Sequence, residues 1–409
     1  PNAINTCLDI WNLIHNPVTR DAIRGGLDSS TIQQLTDINY YLHGRHLLTY
    51  GLKRFHNFAK GWLLERYMKN MTSPRVLDIG CGKMGDFFKY VQQGTGALVG
   101  IDINPDNLNN KLDGAASRVL NAMSSSPRVK GLAGKTLLVL GDISRNIADG
   151  SCATDDLGRY YLDVLYGRQK PAPTFNGKHA KMYNMGAEGF HVVISMYVIH
   201  YCMSSLASLE GYLENVSQNL RDQGYFIGTC LDGISIIDEL NRQNTPRLEG
   251  KVNGHTIWSI DRTTLDEDEQ QSGLIYDDSG ALVSELGIRA MEYDTSMPHM
   301  LGPGNKVNMY FETMNMVSRE NLSDIKYLEH KAMEFGLKLI ESRRFTEAPG
   351  SLLDLWGGTV QTSAEDNGSS KKGSSRTRTT SGVEQEPDIP QIIGEIKKEN
   401  ALSKWAGWQ

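Results

Sequence analysis

The chain has 409 residues, 39% of them apolar, and a formal charge of −6. That length supports one large α/β domain with extensions, and the acidic balance excludes polyanion binding through net charge, so an RNA-directed activity needs a local basic groove. Five scattered cysteines without Cys-x-x-Cys spacing exclude a disulfide framework and a zinc ribbon and fit a reducing, intracellular compartment, and ten histidines without a His-x-x-x-His pair predict no metal.

Residues 1–46 read as an N-terminal arm or linker from an upstream domain, with apolar clusters at Ile10-Trp11, Leu13-Ile14 and Pro17-Val18. A domain over 47–361 follows. Phe55, Phe58, Ala59 and Trp62 recur at helical spacing and predict a core-facing helix. His56, Asn57 and Lys60 fall together on another face of it.

From Arg75 the chain alternates strand and helix. Short apolar runs at 76–79, 97–103, 136–140, 192–196 and 224–228 predict strands, and Leu206, Leu209, Leu213, Val216 and Leu220 mark an amphipathic helix between the last two. Buried runs separated by helices predict an α/β fold with a doubly wound, mostly parallel sheet and helices on both faces. A polar, glycine-rich stretch at 150–189 predicts a surface insertion, and β-prone segments over 248–312 predict a small antiparallel lid. Beyond it come a helix at 325–335, a stop at Gly336 and a strand at 337–340. Residues 362–388 hold almost no apolar side chains and predict a disordered loop; 389–409 form a C-terminal segment. No run is long and apolar enough to span a bilayer, so no membrane partner is expected.

The most informative stretch is Asp78-Ile79-Gly80-Cys81-Gly82-Lys83-Met84-Gly85-Asp86. Its G-x-G-x-x-G core also fits a dinucleotide-binding turn, but it follows an apolar strand and opens a helix, where glycines let backbone approach a nucleotide-like ligand. Asp102, ending the second strand, is placed for ribose hydroxyls. Asp78 suits the cationic end of S-adenosylmethionine, whereas a pyrophosphate would be repelled by Asp78 and Asp86. Asp142, after the third strand, is placed to accept from an adenine amino group. Helix capping accounts for any one of these acids about as well, but not for all of them in order at strand ends.

With these residues, Phe55-His56-Asn57-Phe58-Ala59-Lys60, Ile199-His200-Tyr201 and Gly224-Tyr225-Phe226-Ile227-Gly228-Thr229 resemble the mRNA cap guanine-N7 methyltransferases, a class I family that typically shows F-N-N-W-x-K, L-D-x-G-C-G-K-G-G-D, a H-Y pair and G-G-x-F-I-G-T. The likeness covers about Arg54 to Phe345 and implies a seven-stranded-type sheet. It implies S-adenosylmethionine as cofactor, with S-adenosylhomocysteine as product, on Lys60, Asp78, Gly80, Gly82, Asp102, Asp142 and Met196. It implies cap contacts at His56, Asn57, Lys83, His200 and Tyr201, and Glu312 is the best match for a family glutamate at the guanine edge. His56, Phe58, Met84 and Met196 depart from the usual residues. The segment Ile10–Thr19 resembles the linker in multi-enzyme capping proteins of large cytoplasmic DNA viruses, which implies upstream triphosphatase and guanylyltransferase domains, capped RNA as partner and, as a further candidate partner, a stimulatory subunit. It implies host cytoplasm or virion as the location, or the nucleus for a cellular enzyme. The chain ends at Leu402–Gln409, where the family's last strand and a cap-contacting aromatic would follow.

Guanine N7 carries a lone pair and no proton, so direct displacement needs alignment rather than a general base. On this reading His200 and Tyr201 orient the base and Glu312 stabilises the charge that develops on it. The alternatives are a class I enzyme for another acceptor (RNA 2′-O, protein or small molecule), a degenerate methyltransferase fold acting as a binding or activating module, and a nicotinamide-dependent oxidoreductase.

Overall fold

Five of the apolar runs become the parallel strands of one sheet: β1 (Arg75–Ile79), β2 (Ala97–Asp102), β3 (Thr136–Leu140), β4 (Phe190–Met196) and β5 (Leu220–Thr229). The computed structural model describes residues 48–173, 179–262, 300–314 and 316–346, with 275–276, 282–284, 352 and 355 as isolated pieces. The arm at 1–46 and the segments 362–388 and 389–409 lie outside the described residues.

Strand order is β3-β2-β1-β4-β5. Asp78 of β1 pairs in register with Gly100 of β2 and with Ile194 of β4. The chain therefore winds outward in both directions from β1, and the crevice beyond the strand ends at β1/β4 is the topological switch point where such sheets bind ligands. Alternation divides the core between the faces: Leu77, Val99, Ile101 and Val193 belong to one buried cluster, Val76, Leu98, Val192 and Ile194 to the other.

Helices cover both faces. The first is α1 (Tyr50–Met68); then come α2 (Phe87–Gln92), α3 (Pro105–Asn109), α4 (Ala115–Ala122), α5 (Pro127–Ala133), α6 (Asp156–Leu165), α7 (Ile199–Cys202), α8 (Leu206–Asn219), α9 (Gly233–Arg242) and α10 (Ile325–Glu334). Their starts are written in side chains. Asn104 accepts from the N–H of Asp106 and Asn107 ahead of Pro105, and Asp155, Ser205, Asp232 and Asp324 cap α6, α8, α9 and α10. On α1 the fully buried positions are Leu52, Phe55, Ala59, Leu64 and Met68, while Phe58 and Trp62, expected in the core, are only partly covered. Burying one such side chain as Phe55 is worth about 1.5–3 kcal/mol.

The lid is a four-stranded antiparallel sheet of β6 (Arg247–Val252), β7 (His255–Arg262), β10 (Lys306–Phe311) and β11 (Met316–Asn321), in the order β11-β10-β7-β6. A two-stranded pair, β8 (Ile275–Tyr276) and β9 (Leu282–Ser284), stands apart from it. The lid thus runs past the expected limit at 312, because the β10–β11 hairpin supplies its outer edge. Trp258, Ile260, Val307 and Met309 bury against Phe55 and Ala59 of α1 and against Ile236 of α9.

Two expectations are corrected. The stretch 150–189 is not a surface insertion: α6 lies within it, Leu162 and Leu165 are fully buried with Met182 and Met185, and a Cβ on Gly158 would stand 3.2 Å from Val139 of β3. Its glycines mark close packing, and Leu162, Val164 and Leu165 bury one side of a short helix. The run 337–340 forms no strand; Ile340 is 67% exposed. A strand needs a neighbour for its N–H and C=O groups, and among the described residues none pairs with this one. Side chains anchor the segment instead, with Arg66 and Tyr67 donating to Glu341 at 2.8 Å each and Arg344 paired with Asp232. No helix among the described residues is long and apolar enough to cross a membrane.

Candidate active site

The glycine loop leaves β1 by tucking under β2: Gly80 and Cys81 both donate N–H to Ile101 O, at 2.8 and 2.9 Å. Gly80 (φ +86°) and Gly82 (φ +52°) take left-handed backbone, and so does Met84 (φ +54°). Their demands differ. A Cβ on Gly80 would meet Val198 at 2.5 Å, whereas a Cβ on Gly82 or Gly85 would meet nothing within 4 Å among the described residues. The Gly80 end is packed shut and the Gly82–Gly85 end opens toward the crevice.

Asp102 stands at the rim of that opening. Its Oδ2 accepts from Gly82 N at 2.7 Å and its Oδ1 from Asn104 N and Asn107 Nδ2, while burial pushes its carboxyl up. Asp78 is 4% exposed and accepts from Tyr90 Oη at 2.7 Å. Burial, only partly offset by that hydrogen bond, raises Asp78 to about 7. It is therefore a poised carboxyl beneath the loop rather than a standing negative charge.

On the β1 side, Asp86 accepts from Lys60 at 2.8 Å and from Lys89 at 2.7 Å, and Lys89 also donates to Asn57 Oδ1 at 3.1 Å. Burial works against the Asp86 charge, but the two ammonium groups outweigh it and hold the carboxyl below its usual range. Lys60 and Asn57, adjacent on α1, are thus locked to the first turn of α2. Lys83 leans the other way: Nζ reaches Asp113 at 2.9 Å and Asp106 at 3.3 Å, and Arg118 Nε donates to Lys83 O at 2.9 Å.

Beyond β4, Tyr197 adopts φ +60° and donates its N–H to Thr229 O and Oγ1 at 3.0 and 3.1 Å. A bulky residue in that region is strained. The reversal swings Val198 over Gly80 and starts α7, which carries His200 and Tyr201, their ring centroids 4.0 Å apart. His200 Nε2 stands 3.2 Å from Glu320 Oε2, an ion-pair distance rather than an aligned hydrogen bond, and His200 Nδ1 is buried with no hydrogen-bond partner among the described residues. Burial raises Glu320, yet the His200 contact prevails and holds it low. His56 lies with its ring 5.9 Å from Tyr197 and 6.3 Å from Phe345. Met196 Sδ lies 3.8 Å from Thr229 Oγ1, and Asp142 Oδ1 accepts from Ser144 N and Oγ.

The model of the mRNA (guanine-N(7))-methyltransferase domain matches residues 34–125 and 172–276, which carry the glycine loop, Asp102, the Asp86 clasp and the His200-Tyr201 turn. Over those residues the chain is similar to this family. The chain is similar to a protein of Acanthamoeba polyphaga mimivirus named as a probable mRNA-capping enzyme, 25% identical over 85% of this chain and 30% of that one. An mRNA cap guanine-N(7) methyltransferase of Aspergillus niger is 29% identical over 44% of this chain and 29% of its own length. The chain therefore spans about 30% of the length of these two relatives. Solved structures include an S-adenosylmethionine-dependent methyltransferase from Clostridium acetobutylicum (13% identity, 83% of this chain, 90% of that chain, TM-score 0.35) and the CcbJ methyltransferase of Streptomyces caelestis (12%, 75%, 87%, 0.37). The fold assignment rests on the sheet order, not on these scores. The cofactor is S-adenosylmethionine, and the residues present fit it: an open backbone cradle at Gly82–Gly85 with a carboxylate at its rim.

Gly80, Gly82, Asp102, Asp142, Met196, His200 and Tyr201 all stand at or just past the ends of β1 to β4. Glu312 is different. Its oxygens accept from Leu48 N, Thr49 N and Thr49 Oγ1 at 2.6–3.1 Å, tying the start of α1 to the lid. The carboxylate against His200 is Glu320, which pairs with Val307 at the opposite end of the β10–β11 hairpin from Phe311 and Glu312. Five strand residues separate those ends, roughly 16 Å. Glu312, expected beside His200, is therefore held elsewhere, and the acid that faces His200 is Glu320. A signal existed: Ser318 and Glu320 alternate on the buried face of β11, where a lone glutamate needs a reason.

Proposed function

We propose that this protein transfers a methyl group from S-adenosylmethionine to N7 of the guanine that caps mRNA. One observation carries the acceptor half: a buried imidazole–carboxylate pair, His200 and Glu320, held by the same strained turn that closes over Gly80. When bound, S-adenosylmethionine supplies an activated methyl group on a sulfonium. The rest is positioning.

On this reading Asp102 receives ribose hydroxyls while its bond to Gly82 N keeps the loop open, and Asp142 accepts from the adenine amino group past Met196. Gly80 and Gly82 bring backbone to the amino-acid moiety. Lys60, oriented by Asp86, faces its carboxylate, and Asp78 beneath the loop answers its ammonium by giving up a proton. Glu320 accepts from the guanine edge, and His200, with Tyr201 beside it, fixes the plane of the base. Asn57 and His56 border the junction of donor and base, and Lys83 supplies a cation to the phosphate side. Because N7 bears no proton, none of these groups acts as a general base. Glu320 favours the transition state because the purine becomes more positive as the methyl arrives.

Capped RNA is the partner this site calls for. The length of the mimivirus relative supports a setting beside other capping domains of one polypeptide, and the absence of paired cysteine spacing supports an intracellular, reducing compartment. The test is acceptor competition. RNA beginning GpppN, but not RNA beginning pppN, is expected to accept methyl label, and equal labelling of both would overturn the proposal.

A further inference from the structure

α2 opens with two phenylalanines that the core treats differently. Phe87 is fully buried, and Phe88 crosses it at 79° with 5.6 Å between ring centroids yet is 48% exposed. Phe88 forms one wall of a cavity of about 350 Å³ completed by Leu112, Asp113, Arg118, Asn121 and Ser125. That size falls within the range of roughly 300–1,000 Å³ typical of small-molecule sites.

The wall chemistry is specific. Phe88 and the 77%-exposed Leu112 offer apolar faces, Arg118 a guanidinium, Asn121 an amide and Ser125 a hydroxyl. Aromatic face, guanidinium and amide together suit an unpaired nucleobase with its phosphate, through stacking, charge and edge hydrogen bonds. The cavity is also wired to the active site. Arg118 Nε holds Lys83 O and Asp113 holds Lys83 Nζ, while the Gly80 end of the same loop presses on Val198, two residues before His200. One loop thus spans from the His200 turn to the cavity wall.

We propose that this cavity receives the first transcribed nucleoside of the capped RNA, stacked on Phe88, with Arg118 at its phosphate. The inference rests on the cap-guanine reading and adds what lies across the phosphate bridge from that guanine. Binding here adds affinity for RNA without touching the reacting atoms.

The test compares GTP with the dinucleotide GpppA as methyl acceptors. Stacking of one base predicts a KM for GpppA lower by about tenfold or more. Phe88→Ala is expected to raise the GpppA KM to that of GTP and to leave kcat and the GTP KM unchanged; Phe88→Trp is expected to restore the preference. The indole of Phe88→Trp should also be quenched by GpppA and not by GTP, a readout independent of turnover. Equal KM values for the two acceptors in the parent, or equal losses on both in Phe88→Ala, would overturn the proposal. Failure of every guanine acceptor to take label, with donor still bound, would remove the cap reading and this assignment with it.

Discussion

His200 Nε2 and Glu320 Oε2 stand 3.2 Å apart across the boundary between the parallel sheet and the lid. The pair joins a turn after β4 to the last lid strand, so it couples the donor side of the molecule to the surface that folds over it. Glu320→Gln, which keeps shape and removes charge, is expected to lower kcat by on the order of 10²–10³, as loss of a charge-stabilising group does elsewhere. Glu312→Ala is expected to cost about 1–3 kcal/mol of stability, since Leu48 N, Thr49 N and Thr49 Oγ1 lose their acceptor, with kcat of the folded fraction retained. Thermal melts and initial rates on the two variants separate these roles; the reverse pattern would restore Glu312 to the acceptor site.

Asp78 makes donor binding pH-dependent. Burial raises its carboxyl to about 7, so the free protein holds it largely neutral below that pH. If the ligand's ammonium requires the charged form, affinity should fall by up to about tenfold per unit as pH drops below 7 and level off above it. Isothermal titration from pH 5.5 to 8.5 checks this, and Asp78→Asn should flatten the profile. The same shift has a stability sign. A carboxyl raised in the folded state favours folding below its unfolded value, near 3.9, and that contribution is lost as pH rises through 7. Asp78→Asn should therefore gain stability over the parent at pH 8 and not at pH 3.5, as denaturant midpoints would show.

The two ends of the glycine loop should respond differently to one added methyl group. Gly80→Ala meets both a positive φ and Val198 at 2.5 Å, and is expected to lose about 2–5 kcal/mol from strain and overpacking combined. Gly82→Ala meets open space at φ +52°, so about 1–2 kcal/mol of strain is expected along with weaker donor binding. Val198→Ala should recover part of the Gly80→Ala loss and none of the Gly82→Ala loss.

Asp102→Ala removes the acceptor for Gly82 N as well as the proposed ribose contact, so donor affinity should fall by at least about tenfold. His200→Ala should leave donor affinity within about twofold and lower kcat instead, since alignment of the acceptor is what it contributes. Calorimetric affinities beside turnover numbers read both. Unchanged donor affinity in Asp102→Ala would refute the ribose placement.

The parallel sheet was legible because short buried runs such as Val76–Ile79 and Val192–Met196 alternate with helical stretches along the chain. The residues assigned to the donor stood out because they follow strands in order. What the sequence hid depends on tertiary partners. Helix α6 is short and sits inside a polar, glycine-rich stretch, so the burial of Leu162, Val164 and Leu165 against the sheet shows only in the fold, and the 337–340 run resembles a strand but finds no neighbour among the described residues. Glu312 and Glu320 both end or border β-prone runs; only the hairpin register, with Val307 opposite Glu320, decides which one meets His200. Lys83 and Lys60 were recognisable as motif positions, whereas their clasps by Asp113 and Asp86 arise from elements brought together by the fold.

The central claim is the atom that receives the methyl group. Labelled S-adenosylmethionine and GpppN-ended RNA are incubated with the protein, the product is digested to nucleosides, and the label is located. The account predicts label in 7-methylguanosine, abolished in Glu320→Ala and retained in Glu312→Ala. Label confined to a 2′-O-methylated ribose would contradict it.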